Sequence, residues 1–159
     1  MTASTVVLVG CTKTKRTERS AARDLYDPSD LFRRRRSYAE ATGLPWGILS
    51  AGCGVLAPDQ EVRPYDMTIA QRRLVDPRGW AVGSIQAAFR IAGLDPRVDD
   101  IRLEVHAGVD YVRTLALGVP AFPGSIELAH PVKGLQIGQQ KQHYSTPAPS
   151  SWTQLALAI

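Results

Sequence analysis

At 159 residues the chain suits one domain with a core of its own, over residues 1–159. Hydrophobic residues at 44% and charged residues at 21% are those of an ordinary globular protein. No apolar run approaches the ~20 residues of a membrane span, and no basic region precedes the first apolar run as in a signal peptide. The net charge of +4 permits a polyanionic partner and equally permits a solvated basic surface. Two cysteines make no disulfide framework, which points to a reducing cytoplasm.

The first element is Thr5-Val6-Val7-Leu8-Val9-Gly10, apolar throughout, as in a strand buried on both faces of a parallel sheet. A basic loop follows, from Cys11 to Arg16. Asp27-Pro28 predicts a helix start, with Asp27 as cap, and Gly43 ends that helix near Thr42. Its four arginines, Arg33 to Arg36, spread around the axis at 100° each. Only Arg35 falls on the apolar face of Leu31, Phe32, Tyr38, Ala39 and Thr42, where it must snorkel or find a carboxylate. Arg33, Arg34 and Arg36 read as a solvated face or a partner-facing one.

Trp46 to Ser50 predicts a second strand, then a long loop from Ala51 to about Thr68 and a short helix over Ile69 to Leu74. Asp76-Pro77 repeats the cap signal, and Trp80, Ile85, Ala88, Phe89 and Ala92 carry a helix to Gly93. Ile101 to Val105 alternates as a third strand, a helix runs from Val109 to Leu117, and Ile126 to Ala129 is a fourth strand. The core spans about residues 5–144, and Trp152 to Ile159 docks as a short terminal helix. The order predicts an α/β protein, three layers α/β/α around a small, mainly parallel sheet of about four strands.

In such sheets ligands bind outside the carboxyl ends of the strands. Those ends are Cys11-Thr12-Lys13, Ser50-Ala51-Gly52-Cys53-Gly54, His106-Ala107-Gly108 and His130-Pro131, so small and reactive residues gather at one rim. Each has a bland alternative. Gly52 and Gly54 either let a flat ligand touch the backbone or only supply positive φ in a turn. Cys11 and Cys53 are small buried hydrophobes unless a cation such as Lys13 or His106 favours the thiolate. Cys11, Cys53, His106 and His130 lack close metal-ligand spacing, so no metal or other cofactor is assigned. His143 reads as a surface residue. Asp66 either positions water or caps a helix, and Tyr65 either stacks on a base or packs on the core.

The set "VGCTKTK", "RDLYDPSDLFRRRRSYAE", "WGILSAGCGVLAPDQEVRPYDMTI", "HAGVDYVRTL" and "GLQIGQQKQHY" resembles a family of small, uncharacterised bacterial and phage domains, from about Thr5 to Tyr144. That family carries a C-[ST]-x-x-K loop, an L-S-A-x-x-G-[LV]-[LI]-x-P loop with a following P-Y-D, and an H-A-G motif. Gly52-Cys53 stands where the family has a bulkier, often basic pair. The same loop is similar to that of the YaaA peroxide-stress proteins, which bind DNA, and more distantly to that of archaeosine synthase, a tRNA base-modifying enzyme. The resemblance implies an α/β/α core akin to uracil-DNA glycosylases and the handling of nucleobases in nucleic acid or a nucleotide. The glycosylases' water-activating motif is not present at Cys11 to Lys15.

Two readings follow. In the first, the protein is an enzyme acting at an N-glycosidic bond, with Asp66 and His106 catalytic. Cys11, Thr12, Lys13, Lys15, Ser50, Gly52, Cys53, Gly54, Tyr65 and Gly108 then hold the substrate. In the second it is a non-catalytic DNA- or RNA-binding module using Lys13, Lys15, Arg16 and Arg33, Arg34 and Arg36. Nothing in the sequence fixes the oligomeric state.

Overall fold

The computed structural model describes residues 4–64 and 76–145. The predicted helix at Ile69 to Leu74, the terminal helix at Trp152 to Ile159, and the side chains of Tyr65 and Asp66 lie outside the described residues.

Five strands form the central sheet, in the order β4-β3-β1-β6-β7. β1 (Ser4–Gly10) is central and parallel to both neighbours, β3 (Trp46–Ser50) and β6 (Ile101–His106), with Val9 opposite Ile48 on one side and His106 on the other. β7 (Ile126–Ala129) extends the parallel order, and β4 (Gly54–Leu56) closes the other edge antiparallel to β3. β1 needs its unbroken Val6-Val7-Leu8-Val9 run because both faces are covered. Val6 and Leu8 pack under α3 (Pro77–Ala92) and α4 (Val109–Ala116) with Ile85, Phe89 and Leu115. Val7 and Val9 pack with Leu25 of α1 (Ala22–Leu25) and Phe32 of α2 (Asp30–Ala41) on the opposite face. The architecture is α/β with helices on both faces of a mostly parallel sheet.

Several expectations are corrected. The sheet has five strands, because the segment read as a long loop after Ser50 turns back at once. Gly54, at φ +76°, directly faces Ser50 across that turn. Its positive φ is the conformation only glycine adopts at no steric cost, so here the bland reading of the glycine accounts for it. Further on, β5 (Glu61–Val62) pairs antiparallel with β2 (Ser20–Ala21). Ser29, not Asp27, caps α2: its side chain accepts from the Phe32 amide at 3.3 Å, while Asp27 pairs with Arg16. Asp76 caps α3 as expected, accepting from the Gly79 amide at 2.8 Å, and Gly93 ends that helix in the left-handed conformation. A further helix, α5 (Ile137–Ser145), was not expected.

Candidate functional site

The parallel strands bring their carboxyl ends to one edge of the sheet, as the sequence predicted, but the expected residues divide into two groups there. One surrounds a cleft of about 710 Å³ between β4 and α3, lined by Gly52, Cys53, Gly54, Trp80, Ser84 and Arg90 among others. A second cavity, of about 480 Å³, shares Gly52 and Cys53 and continues to Pro64. Ser50 is fully buried and faces neither cavity: its hydroxyl accepts from the amides of Gly52 and Cys53, both at 3.2 Å, and so shapes the turn. Cys53 is exposed.

The other group lies where β1 and β6 end. Residues 102, 104 and 106 of β6 point away from α3 and α4, since side chains alternate along a strand and Leu103 and Val105 face those helices. Glu104 and His106 are therefore covered by α2 and α5. His106 is fully buried and Glu104 is 4% exposed. Nε2 of His106 and Oε1 of Glu104 are 2.7 Å apart; the Tyr38 hydroxyl donates to the same carboxylate oxygen at 2.7 Å; and Nδ1 of His106 meets the Tyr144 hydroxyl at 2.8 Å. Four side chains from β6, α2 and α5 thus form one buried polar chain that ends at the partly exposed Tyr144.

Arg35 completes it. The guanidinium is 6% exposed, donating from Nη1 to the Gly10 carbonyl at 3.1 Å and from Nη2 to Gln140 Oε1 at 3.0 Å. Both acceptors are neutral, so the sequence-based demand for a carboxylate is met instead by a strand-end carbonyl and an amide. The buried Nε has no hydrogen-bond partner. Gly10 makes room for this arrangement: a Cβ there would lie 2.9 Å from Ala107 Cβ and 3.2 Å from Arg35 Nη1. Next to it, the half-buried Cys11 thiol hydrogen-bonds the Tyr111 hydroxyl at 3.6 Å. Tyr111 in turn lies against Trp80 of the cleft, ring centroids 6.1 Å apart, so the two groups meet through Trp80, Tyr111 and Cys11.

The protonation states follow from this geometry. Burial alone raises the Glu104 carboxyl, but its bonds to His106 and Tyr38 outweigh that and hold it below the usual carboxylate range. Burial pushes His106 down, more than Glu104 lifts it, so the imidazole is neutral. Burial raises both phenols: Tyr38 is further raised by its bond to Glu104, and Tyr144 reaches about 12, with the nearby Arg35 charge opposing the rise. Burial lowers Arg35, and the Tyr144 hydroxyl, Cys11 and Tyr111 partly restore it.

The remaining expected site residues have plainer surroundings. Thr12 is half-buried and Lys13 exposed; the Thr12 hydroxyl donates to the Thr14 carbonyl at 3.4 Å, and Lys15 Nζ donates to the Lys13 carbonyl at 3.2 Å and stands 5.9 Å from the Tyr26 ring centre. Gly108 is exposed and begins α4 with no side-chain cap. His130 donates from Nε2 to the Ala107 carbonyl at 2.8 Å, and His143 is exposed. Among the described residues no group of three or more His, Cys, Asp or Glu side chains is placed to hold a metal ion.

The helix arginines are largely engaged with carboxylates. Arg33 and Arg34 pair with Asp30, at 3.6 and 3.2 Å, and Arg36 with Asp24 at 3.0 Å and Glu40 at 2.6 Å. Arg34 also donates to the Lys141 carbonyl and to the Ser145 hydroxyl, and Lys141 pairs with Asp30 at 3.1 Å, so this helix face tethers α5.

Glu104, Tyr38, Tyr144 and Gln140 were missed as site residues. One signal was available for Glu104: a carboxylate two residues before a strand-end histidine shares its face of the sheet. Tyr144 and Gln140 sit in the "GLQIGQQKQHY" stretch, without a fold to connect them to His106.

Comparison with curated proteins and with solved structures gives no match. A family model matches residues 6–146, the whole of the sheet after its first two residues and the entire polar chain. The chain belongs to that family, a family of unknown function (DUF6884).

Proposed function

We propose that the protein is a nucleobase-handling enzyme acting on nucleic acid or a nucleotide, by cleavage or exchange at an N-glycosidic bond. The observation that carries this reading is the buried Glu104–His106 pair, linked to the strand-end rim through the Tyr144 hydroxyl. A desolvated carboxylate–imidazole pair is a costly arrangement for a fold that uses it only for packing, and it is the usual means of moving a proton at neutral pH. Arg35 adds a buried cation whose terminal nitrogens meet only neutral acceptors, so positive potential remains at the rim for an anionic substrate. The nucleobase itself is inferred from the resemblance of the Ser50 to Asp66 loop to those of the YaaA proteins and archaeosine synthase, and from the likeness to the uracil-DNA glycosylase core.

In this reading the cleft bearing Gly52, Cys53 and Gly54 takes the base, Lys13 and Lys15 hold phosphate, and Asp66 steadies the cationic sugar. His106 is fully buried with both ring nitrogens bonded, so it acts on a ligand only through its neighbours. The pairing of Arg33, Arg34 and Arg36 with carboxylates weakens the alternative of a binding module.

The test is release or exchange of free base from single- and double-stranded oligonucleotides carrying normal and modified bases, followed by mass spectrometry. Release that is lost in Asp66→Ala and in His106→Asn supports the reading. Absence of release together with steeply salt-dependent binding overturns it in favour of the binding module.

A further inference from the structure

We infer that Tyr144 Oη is the atom of the polar chain that meets the substrate, and that in the resting protein it is poised to accept a proton, so that it acts as a base before it returns one. The inference rests on the enzymatic reading above for its reaction, while the direction of the chain is fixed by the chain itself.

An ionised carboxylate only accepts hydrogen bonds. Oε1 of Glu104 receives one from Tyr38 and one from His106, so Nε2 of His106 carries the hydrogen. A neutral imidazole has one hydrogen, and Nδ1 is therefore an acceptor. Among the described residues the group bonded to Nδ1 is the Tyr144 hydroxyl, at 2.8 Å, which must donate its proton inward. The phenol has a single proton, so toward anything outside the chain its oxygen can only accept.

His106 cannot take a substrate directly, being fully buried, whereas Tyr144 is partly exposed. The charged and titratable groups facing the pair are Glu104 and Arg102 from β6, Tyr38 and Arg35 from α2, and His143 from α5. Of these the Arg35 guanidinium favours negative charge on Tyr144. The oxygen is thus backed by an acceptor for its own proton and flanked by a cation.

An incoming nucleophile, water for hydrolysis or the N–H of a second base for exchange, gives its proton to Tyr144 Oη as Tyr144 passes its own to His106 Nδ1. The imidazolium so formed is neutralised by the Glu104 carboxylate. The freed electron pair makes the new bond to the anomeric carbon; the old carbon–nitrogen bond breaks and its pair leaves with the departing base. That base recovers a proton by the reverse route, which returns the chain to its starting state.

Nitrogen-15 NMR of the imidazoles tests the direction without any substrate. The chain has three histidines, and His106 is assigned by the signal missing in His106→Asn. The expected result is the Nε2–H tautomer, with an Nδ1 resonance that moves toward that of a free acceptor nitrogen in Tyr144→Phe while the variant stays folded. An Nδ1–H tautomer overturns the inference whatever the activity. In the base-release assay Tyr144→Phe should lower kcat by about 10²-fold or more with little change in KM; an unchanged kcat overturns the base role and leaves the enzymatic reading standing. If the unaltered protein releases no base from any substrate, the enzymatic reading fails, and the tautomer still decides which way Tyr144 donates.

Discussion

The two faces of β6 make opposite uses of burial. Ile101, Leu103 and Val105 enter the cluster formed with α3 and α4, where they meet Ile85, Phe89 and Leu115. Glu104 and His106, one residue out of step, enter the α2–α5 side, where hydrogen bonds to Tyr38 and Tyr144 join them into one chain. The apolar face stabilises by removing area from water, roughly 25 cal/mol per Å². The polar face forfeits that gain and must satisfy each desolvated group it contains. A fold tolerates such a face where the groups have other work, which is why the candidate site lies there and not in the better-packed layer.

The comparison breaks most sharply at neighbouring positions. Leu103→Ala leaves a cavity in the apolar face and should cost about 2–5 kcal/mol in denaturant unfolding. The His106 tautomer of the folded fraction should be unchanged, since the lesion is on the other side of the sheet. Glu104→Ala should cost less on balance: about 1–3 kcal/mol for each of two buried donors, the Tyr38 hydroxyl and His106 Nε2–H, left without an acceptor, offset by a carboxylate no longer taken out of water. It should nevertheless disturb the imidazole spectrum completely. A stability loss from Glu104→Ala larger than that from Leu103→Ala would mean that the polar face is the main support of the fold.

The pH dependence sharpens the same contrast, because the polar face holds the Glu104–His106–Tyr144 chain. The His106 pKa is depressed in the folded protein, so below about pH 6.5 the unfolded chain takes up a proton that the folded one refuses, and stability falls as pH falls. Glu104, depressed as well, adds a second loss as pH drops through its folded value. At the alkaline end the sign reverses. Tyr144 is raised from 10.0 to about 12, so the unfolded chain loses its proton first and stability falls as pH rises through that interval, by about 3 kcal/mol. Urea titrations should show a flatter acid limb in His106→Asn and a flatter alkaline limb in Tyr144→Phe. Identical limbs in the variants would assign the pH dependence to other groups.

The sheet was largely legible because its strands are short apolar runs bounded by turn chemistry. Trp46–Ser50 and Ile126–Ala129 have the expected bounds, and Asp76 and Gly93 mark both ends of α3 through cap geometry that depends on a few residues only. β4 was not legible: three residues between Gly54 and Leu56 carry no period of their own, and only the turn that seats Gly54 opposite Ser50 makes them a strand. α5 failed for a different reason. Gly138, Gln139 and Gln140 show no apolar stripe, and the helix is held by polar contacts to Arg34, Arg35 and Asp30, more than 100 residues away in sequence. Of the site, His106 was visible as a strand-end residue. Glu104 was not, because a carboxylate at an alternate strand position reads as solvent-facing unless it is known that α2 and α5 cover that face.

The smallest effect belongs to Tyr38. Its hydroxyl donates one of the two hydrogen bonds to Glu104 Oε1, and its ring packs on His106 with centroids 4.7 Å apart. Tyr38→Phe retains the ring and deletes the bond, while the carboxylate keeps His106, so the cost should be about 0.5–1.5 kcal/mol. The deleted bond also favours the ionised carboxylate, so its loss should move the Glu104 carboxyl upward. The acid loss of stability assigned to Glu104 should then be smaller and end at a higher pH than in the unaltered protein, which urea titrations through and below the carboxylate range measure. The direction of the chain should survive, since Nε2–H still faces Glu104. If Tyr38→Phe instead inverts the His106 tautomer, Tyr38 sets the polarity of the chain, and the α2 side of the site, not Glu104 alone, determines which way the proton at Tyr144 points.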